Sequence, residues 1–132
     1  MLTETEYQTF VTGYPRGVVY AVENPDTGDT FDFAGFADGR LVHTVASLYD
    51  AVQPDGSLSA ETQEVYLGLA SLQLKGAAGT PIRWVCQRPD DADALRNLLR
   101  DFEPELGKIA PLGSIEVIDV PAPDGSVDKV AG

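Results

Sequence analysis

A mixed α/β domain is the fold class this sequence predicts, on three observations. Residues 17–23 and 30–46 carry the two-residue alternation of strands, separated by the turn residues Asn24, Pro25, Asp26 and Gly28 and by the Asp38-Gly39 pair. Residues 59–75 and 89–102 place apolar side chains three and four apart, as helices do. Two further strand-like runs, 80–87 and 114–120, alternate with those helices. A hairpin makes antiparallel neighbours and a helical crossover makes parallel ones. The predicted order is helix, three strands, helix, strand, helix, strand, in a sheet antiparallel at first and parallel later, with helices on its faces.

The first helix, residues 3–12, begins with Thr3 and has Glu6 three residues on, a capping box, with Tyr7, Phe10 and Val11 on one face. Gly13 and Pro15 end it. The strand at 17–23 is rich in β-branched and aromatic residues. In the next strand, 30–36, Phe31 and Phe33 point one way and Asp32 the other. Asp38-Gly39 turns the chain into the third strand, 40–46, although residues 41–52 also fit a helical pattern. After the loop 53–57, Ser59 caps a long helix in which Val65, Leu69 and Leu72 repeat at four and three residues, with Gly76 and Gly79 at its end. The strand 80–87 sets Ile82, Trp84 and Cys86 on one face and Arg83, Val85 and Gln87 on the other. Pro89 and the acids Asp90, Asp91 and Asp93 open a helix at the positive end of its dipole, with Leu95, Leu98, Leu99 and Phe102 as its core stripe. Glu103 and Glu105 flank Pro104 in an expected loop. A final strand at 114–120 leads to a Pro/Gly/Asp-rich tail.

With 132 residues, 43% hydrophobic and 23% charged, the chain fits one domain over 1–121 and a flexible tail over 122–132. Its net charge of −12, from 21 acidic and 9 basic residues, repels phosphate backbones and favours cationic partners. One cysteine, Cys86, excludes an internal disulfide and a thiolate metal site, and its apolar surroundings fit a buried structural thiol. The first residues lack the regions of a secretory signal, and no apolar run approaches the ~20 residues that span a bilayer. The expected location is cytoplasmic, with delivery as part of a larger protein as a further route.

The hairpin reads Asp32-Phe33-Ala34-Gly35-Phe36, then Asp38-Gly39, then Leu41-Val42-His43-Thr44-Val45-Ala46, with Tyr49 beyond. This pattern and the element order resemble nuclease toxin domains of the restriction-endonuclease-like fold from bacterial polymorphic toxins. In those domains the segment looks like DFDGF followed by LLExKG. The Trp-bearing strand at Ile82-Arg83-Trp84, the helix at 92–99 and the apolar strand at 115–120 are similar too. The resemblance implies a metal-dependent nuclease in which carboxylates hold Mg²⁺ and a lysine lies two residues after an acid. Position by position, the metal aspartate falls on Ala34, the acid of ExK on His43 and its lysine on Val45. Neither alanine nor valine binds a metal or carries a proton. Ala34 alone fits a laboratory inactivation; three changes together do not.

Asp32 and His43 are the surviving candidates for catalysis or metal binding. Asp32 equally fits a solvated strand position, and a lone imidazole suits Zn²⁺ better than Mg²⁺. Glu64 and Lys75 of the long helix would have to reach back to the hairpin to replace the lost groups. The expectation is a catalytically degenerate toxin-type domain that binds a protein with a basic surface, such as a toxin, immunity or delivery component. Nucleic acid, membrane insertion and cofactors are not expected. The alternatives are a nuclease toxin, active with Mg²⁺ or Mn²⁺ or inactivated in the laboratory, and a small acidic immunity or inhibitor protein. The nuclease requires a basic path from Arg16, Arg40, Lys75, Arg83 and Arg88.

Overall fold

The computed structural model describes residues 3–14, 19–28, 30–45, 47–110 and 113–121. The expected strand start at 17–18, Pro15, Arg16, Asp29, Ala46 and the tail from 122 lie outside them.

Helix α1, Glu4–Thr12, starts on the predicted capping box. The Glu6 N–H donates to Thr3 Oγ1 at 3.2 Å, and the Thr3 N–H donates to Glu6 Oε1 at 2.9 Å. Gly13 ends it in the left-handed region at φ +74°, where a side chain would be strained. Strand β1, Tyr20–Glu23, pairs antiparallel with β2, Thr30–Phe33, in a two-stranded ribbon. Strand β3, Gly35–Ala37, turns back through Asp38-Gly39 into β4, Arg40–Val45. The strand expected over 30–36 is therefore broken at Ala34. Its first half joins the ribbon and its second half the main sheet, so the strands form two sheets rather than one. The residues described within 41–52 form β4 and turns, not a helix.

Helix α2, Ala60–Ala77, begins at Ser59, whose side chain accepts from the Thr62 N–H. Gly76 lies inside the helix instead of ending it. A Cβ there would come within 3.2 Å of Phe31 Cβ, so glycine lets the ribbon pack close; the helix stops at Ala78, at φ +52°. Strand β5, Ile82–Cys86, runs parallel to β4, and α3, Pro89–Asp101, carries the chain to β6, Ile115–Asp119, parallel to β5. The main sheet has the order β3-β4-β5-β6, antiparallel then parallel as predicted. Around Pro104 the chain forms the short helix α4, Glu103–Leu106, where a loop was expected, because proline suits the first turn of a helix. No helix among the described residues is long and apolar enough to cross a membrane.

The faces of β5 divide the core as the alternation predicts. Ile82, Trp84 and Cys86 join Leu41, Val45 and Val117 beneath Ala70, Leu74 and Ala77 of α2 and Leu95 and Leu98 of α3. On the other face, among the described residues, Val42 and Val85 form a small buried cluster with Tyr7 of α1, and Val11, Ile118 and Val120 lie partly buried beside it. At roughly 1.5–3 kcal/mol per fully buried large apolar side chain, the first face supplies most of the burial stabilisation. Tyr7 compensates in part, its hydroxyl donating to the carbonyls of Cys86 at 2.8 Å and Val120 at 2.6 Å.

One core assignment is corrected by the fold. Val65 and Leu72, spaced like a core stripe, are 60% and 59% exposed, while Ala70, Gln73, Leu74, Gly76 and Ala77 are buried. The inner face mixes small and large residues: Gly76 lets Phe31 of the ribbon approach closely, while Gln73 bonds the Trp84 indole and Leu74 fills the core.

Candidate functional site

The hairpin positions singled out in the sequence fall into separate environments. Ala34 is 6% exposed at the break between β2 and β3, and its N–H donates to the Val42 carbonyl at 2.8 Å. Val45 is 1% exposed in the main core. Asp32 is exposed on the ribbon opposite Ala21, between the inward Phe31 and Phe33. His43 is partly buried on β4, its ring 6.1 Å from that of Trp84. No hydrogen bond or ion pair among the described residues joins Asp32 to His43.

Chemistry at His43 is limited by where it sits. Desolvation lowers its pKa to about 4, so at pH 7 it is a neutral imidazole and a weak base. Around it the core is aromatic: Tyr66 meets Trp84 edge-on at 5.8 Å, and the Trp84 indole N–H donates to Gln73 Oε1 at 2.6 Å. Among the described residues no three of His, Cys, Asp and Glu stand together as a metal-holding group. One exposed carboxylate and one aromatic-packed imidazole do not make the oxygen-rich set that Mg²⁺ requires. Glu64 and Lys75 lie on the exposed side of α2, opposite its buried face, and the Lys75 carbonyl accepts from Asn24 Nδ2 at 2.8 Å.

Arg40, Arg83 and Arg88 of the supposed basic path are committed to acids. Arg83 contacts Glu116 at 2.7 Å and Asp38 at 3.2 Å, and Arg40 contacts Glu116 at 3.7 Å. The Arg83 guanidinium is held above its usual pKa chiefly by the Glu116 hydrogen bond. Arg88 pairs with Asp90 at 3.5 Å and Asp91 at 3.2 Å, and its guanidinium lies 5.0 Å over the Tyr49 ring.

Asp91 is the residue whose importance the sequence concealed. It is 0% exposed, and its Oδ2 accepts from the Leu48 N–H at 3.0 Å, fastening the start of α3 to the chain beyond β4. Desolvation holds its carboxyl above the usual range, against the opposing pull of the Leu48 hydrogen bond and Arg88. A place in the first turn of α3 suggested only a dipole-stabilising acid. Cys86 is fully buried as expected, with desolvation pushing its thiol up to about 12, far from a nucleophile.

Two apolar depressions stand out among the described residues. One, ≈ 280 Å³, lies between α1 and the main sheet over Val42, Val85 and Ile118, with Phe10, Tyr14 and Phe36 at its rim and Asp38 and Arg83 beside it. Phe36, 42% exposed, stacks on Tyr20 at 5.6 Å. The other, ≈ 350 Å³, follows β6 between α3 and α4, with walls from Leu74, Leu99, Leu106 and Ile115. Along that edge Arg96 Nε donates to the Val117 carbonyl at 2.9 Å, covering part of an otherwise open strand. Both depressions have the size and lining to accept bulky apolar groups. No known protein family, curated protein or solved structure matches the chain.

Proposed function

We propose that this chain is a catalytically degenerate restriction-endonuclease-like toxin-type domain that acts as a protein-binding module for a partner with a basic surface. One observation carries the reading: two of the three positions that the resemblance assigns to metal and proton chemistry are occupied by Ala34 and Val45, apolar side chains built into the core. The third, His43, is packed against Trp84 and neutral at pH 7. A change of function leaves such positions free to serve packing.

Charge points the same way. The net −12 is unfavourable for gripping a phosphate backbone, and Arg40, Arg83 and Arg88 already face acids of their own chain. An acidic face for such a partner would draw on Asp26, which is exposed, and on Asp90 and Asp93, exposed beside Arg88 and Arg96; Asp38 faces Arg83, and Asp91 is buried. Asp29 lies outside the described residues. Apolar anchoring would come from the depression rimmed by Phe10 and Phe36, with surrounding acids steering the encounter.

The test is plasmid cleavage with Mg²⁺, Mn²⁺ or Zn²⁺, run beside binding to a candidate basic partner at increasing salt. The reading predicts no cutting above background and an affinity that falls with salt mainly through slower association. Metal-dependent nicking abolished by Asp32→Ala or His43→Ala would replace it with a nuclease.

A further inference from the structure

We infer that the outer face of α2 is a self-complementary, antiparallel docking surface for a second copy of this chain. Every exposed residue of this helix except Ala60 lies on one stripe: Glu61, Glu64, Val65, Gly68, Leu72 and Lys75. Positions 61, 65, 68, 72 and 75 advance by four, three, four and three, the spacing of a helix-pairing seam. The seam is also symmetric. Reversed about a point between Gly68 and Leu69, it brings Val65 against Leu72 of the second copy and Glu61 and Glu64 against that copy's Lys75. At the crossing stands Gly68, where an added Cβ would meet nothing within 4 Å, so another helix can approach closely.

Charge complementarity selects the second copy over another occupant. Neither Glu61, Glu64 nor Lys75 makes an ion pair among the described residues, although acids outnumber bases 21 to 9 in the chain. An antiparallel copy supplies the missing partner at both ends with the same contact, as a two-fold interface must. A parallel copy would set Glu61 against Glu61 and Lys75 against Lys75. Val65 and Leu72, 60% and 59% exposed, then form the apolar centre.

A face one helix wide is at the small end of specific interfaces, so the dissociation constant is expected on the order of 100 µM. Two copies of net charge −12 repel one another at long range. Salt screens that repulsion beyond about 8–10 Å, and the dimer is therefore expected to tighten several-fold between low and moderate salt. This surface is separate from the depression proposed for the basic partner, and either assignment can fail alone.

The experiment is sedimentation equilibrium of the full chain from about 10 µM to 1 mM, with Leu72→Glu and Lys75→Glu beside it, and mild oxidation of single-cysteine additions on the same helix. The expected result is a monomer–dimer equilibrium of the 14.1 kDa chain, weakened at least about tenfold by Leu72→Glu and restored from Lys75→Glu by adding Glu61→Lys and Glu64→Lys. Gly68→Cys should cross-link to itself. Val65→Cys should not, because its copies lie about 10 Å apart along an antiparallel pair at 1.5 Å per residue. Circular dichroism of each variant separates loss of pairing from loss of fold. A chain that is monomeric at 1 mM overturns the inference, as does a dimer indifferent to Leu72→Glu, or Val65→Cys cross-linking as readily as Gly68→Cys.

Discussion

Replacing Asp91 by alanine and by asparagine should give two different answers, and the difference measures what a buried carboxylate does here. Its Oδ2 is the acceptor for the Leu48 N–H, and its Oδ1 lies 3.2 Å from Arg88 Nη1. In Asp91→Ala both are lost. An orphaned buried N–H costs ~1–3 kcal/mol. Removing one partner of a buried ion pair costs about 3–5 kcal/mol. That second figure must be reduced here, because the Arg88 side chain is 24% exposed and keeps Asp90 at 3.5 Å. The combined expectation is ~2–4 kcal/mol, a large part of the 5–15 kcal/mol that holds a domain together. Asp91→Asn retains an acceptor for Leu48 and removes a charge whose desolvation outweighs its favourable contacts, so its change should stay within ~1 kcal/mol. Urea denaturation at pH 7 reads both, the alanine midpoint falling by about 1–2 M at an m-value near 2 kcal/mol/M. Asparagine costing as much as alanine would refute the reasoning, since the carboxylate charge would then be a net stabiliser.

The sign of the pH dependence follows from the same residue. A carboxyl raised in the fold binds its proton more tightly there than when unfolded, so its contribution falls as pH rises from the ordinary carboxylate value through the raised one. The wild-type minus Asp91→Asn stability difference should drift in that direction. His43 acts oppositely. Its pKa is about 4 folded against 6.5 unfolded, so its contribution is complete above pH 6.5 and lost as pH falls toward 4. That shift corresponds to ~3 kcal/mol, which His43→Phe should remove from the acid limb; a histidine titrating above pH 6 by NMR would contradict it. Introducing the acid and lysine of the nucleases that the hairpin resembles, with Ala34→Asp or Val45→Lys, should destabilise the fold by at least ~2 kcal/mol each, because both side chains enter buried positions unpaired. A double variant that melts like wild type and binds Mg²⁺ in calorimetry would show the site to be latent.

Local chemistry made much of the fold legible. Thr3 with Glu6, Ser59 and Pro89 mark helix starts because each satisfies or avoids donors within its own turn. The two faces of β5 follow from strand geometry alone. Where distant chain decides, the sequence is silent. Val65, Leu69 and Leu72 have core spacing, yet of the three Leu69 alone packs on the core, and the inner face of α2 goes to Ala70, Gln73, Leu74, Gly76 and Ala77, where Phe31 meets Gly76 and Trp84 bonds Gln73 from other elements. The break at Ala34 leaves the two-residue alternation intact and appears only when β2 and β3 choose different sheets. Asp91 reads as a helix-start acid until Leu48, 43 residues earlier, comes within 3.0 Å. Asp32 and His43 were identifiable as residues, while their separation into an exposed ribbon and an aromatic pocket depends on that same break.

Plasmid cleavage by the purified chain over a range of Mg²⁺, Mn²⁺ and Zn²⁺, with Asp32→Ala and His43→Ala alongside, tests the degenerate-scaffold account most directly. It predicts that wild type and both variants are indistinguishable from buffer in every metal. Cutting by wild type that disappears in either variant would contradict it and place a working site on this hairpin.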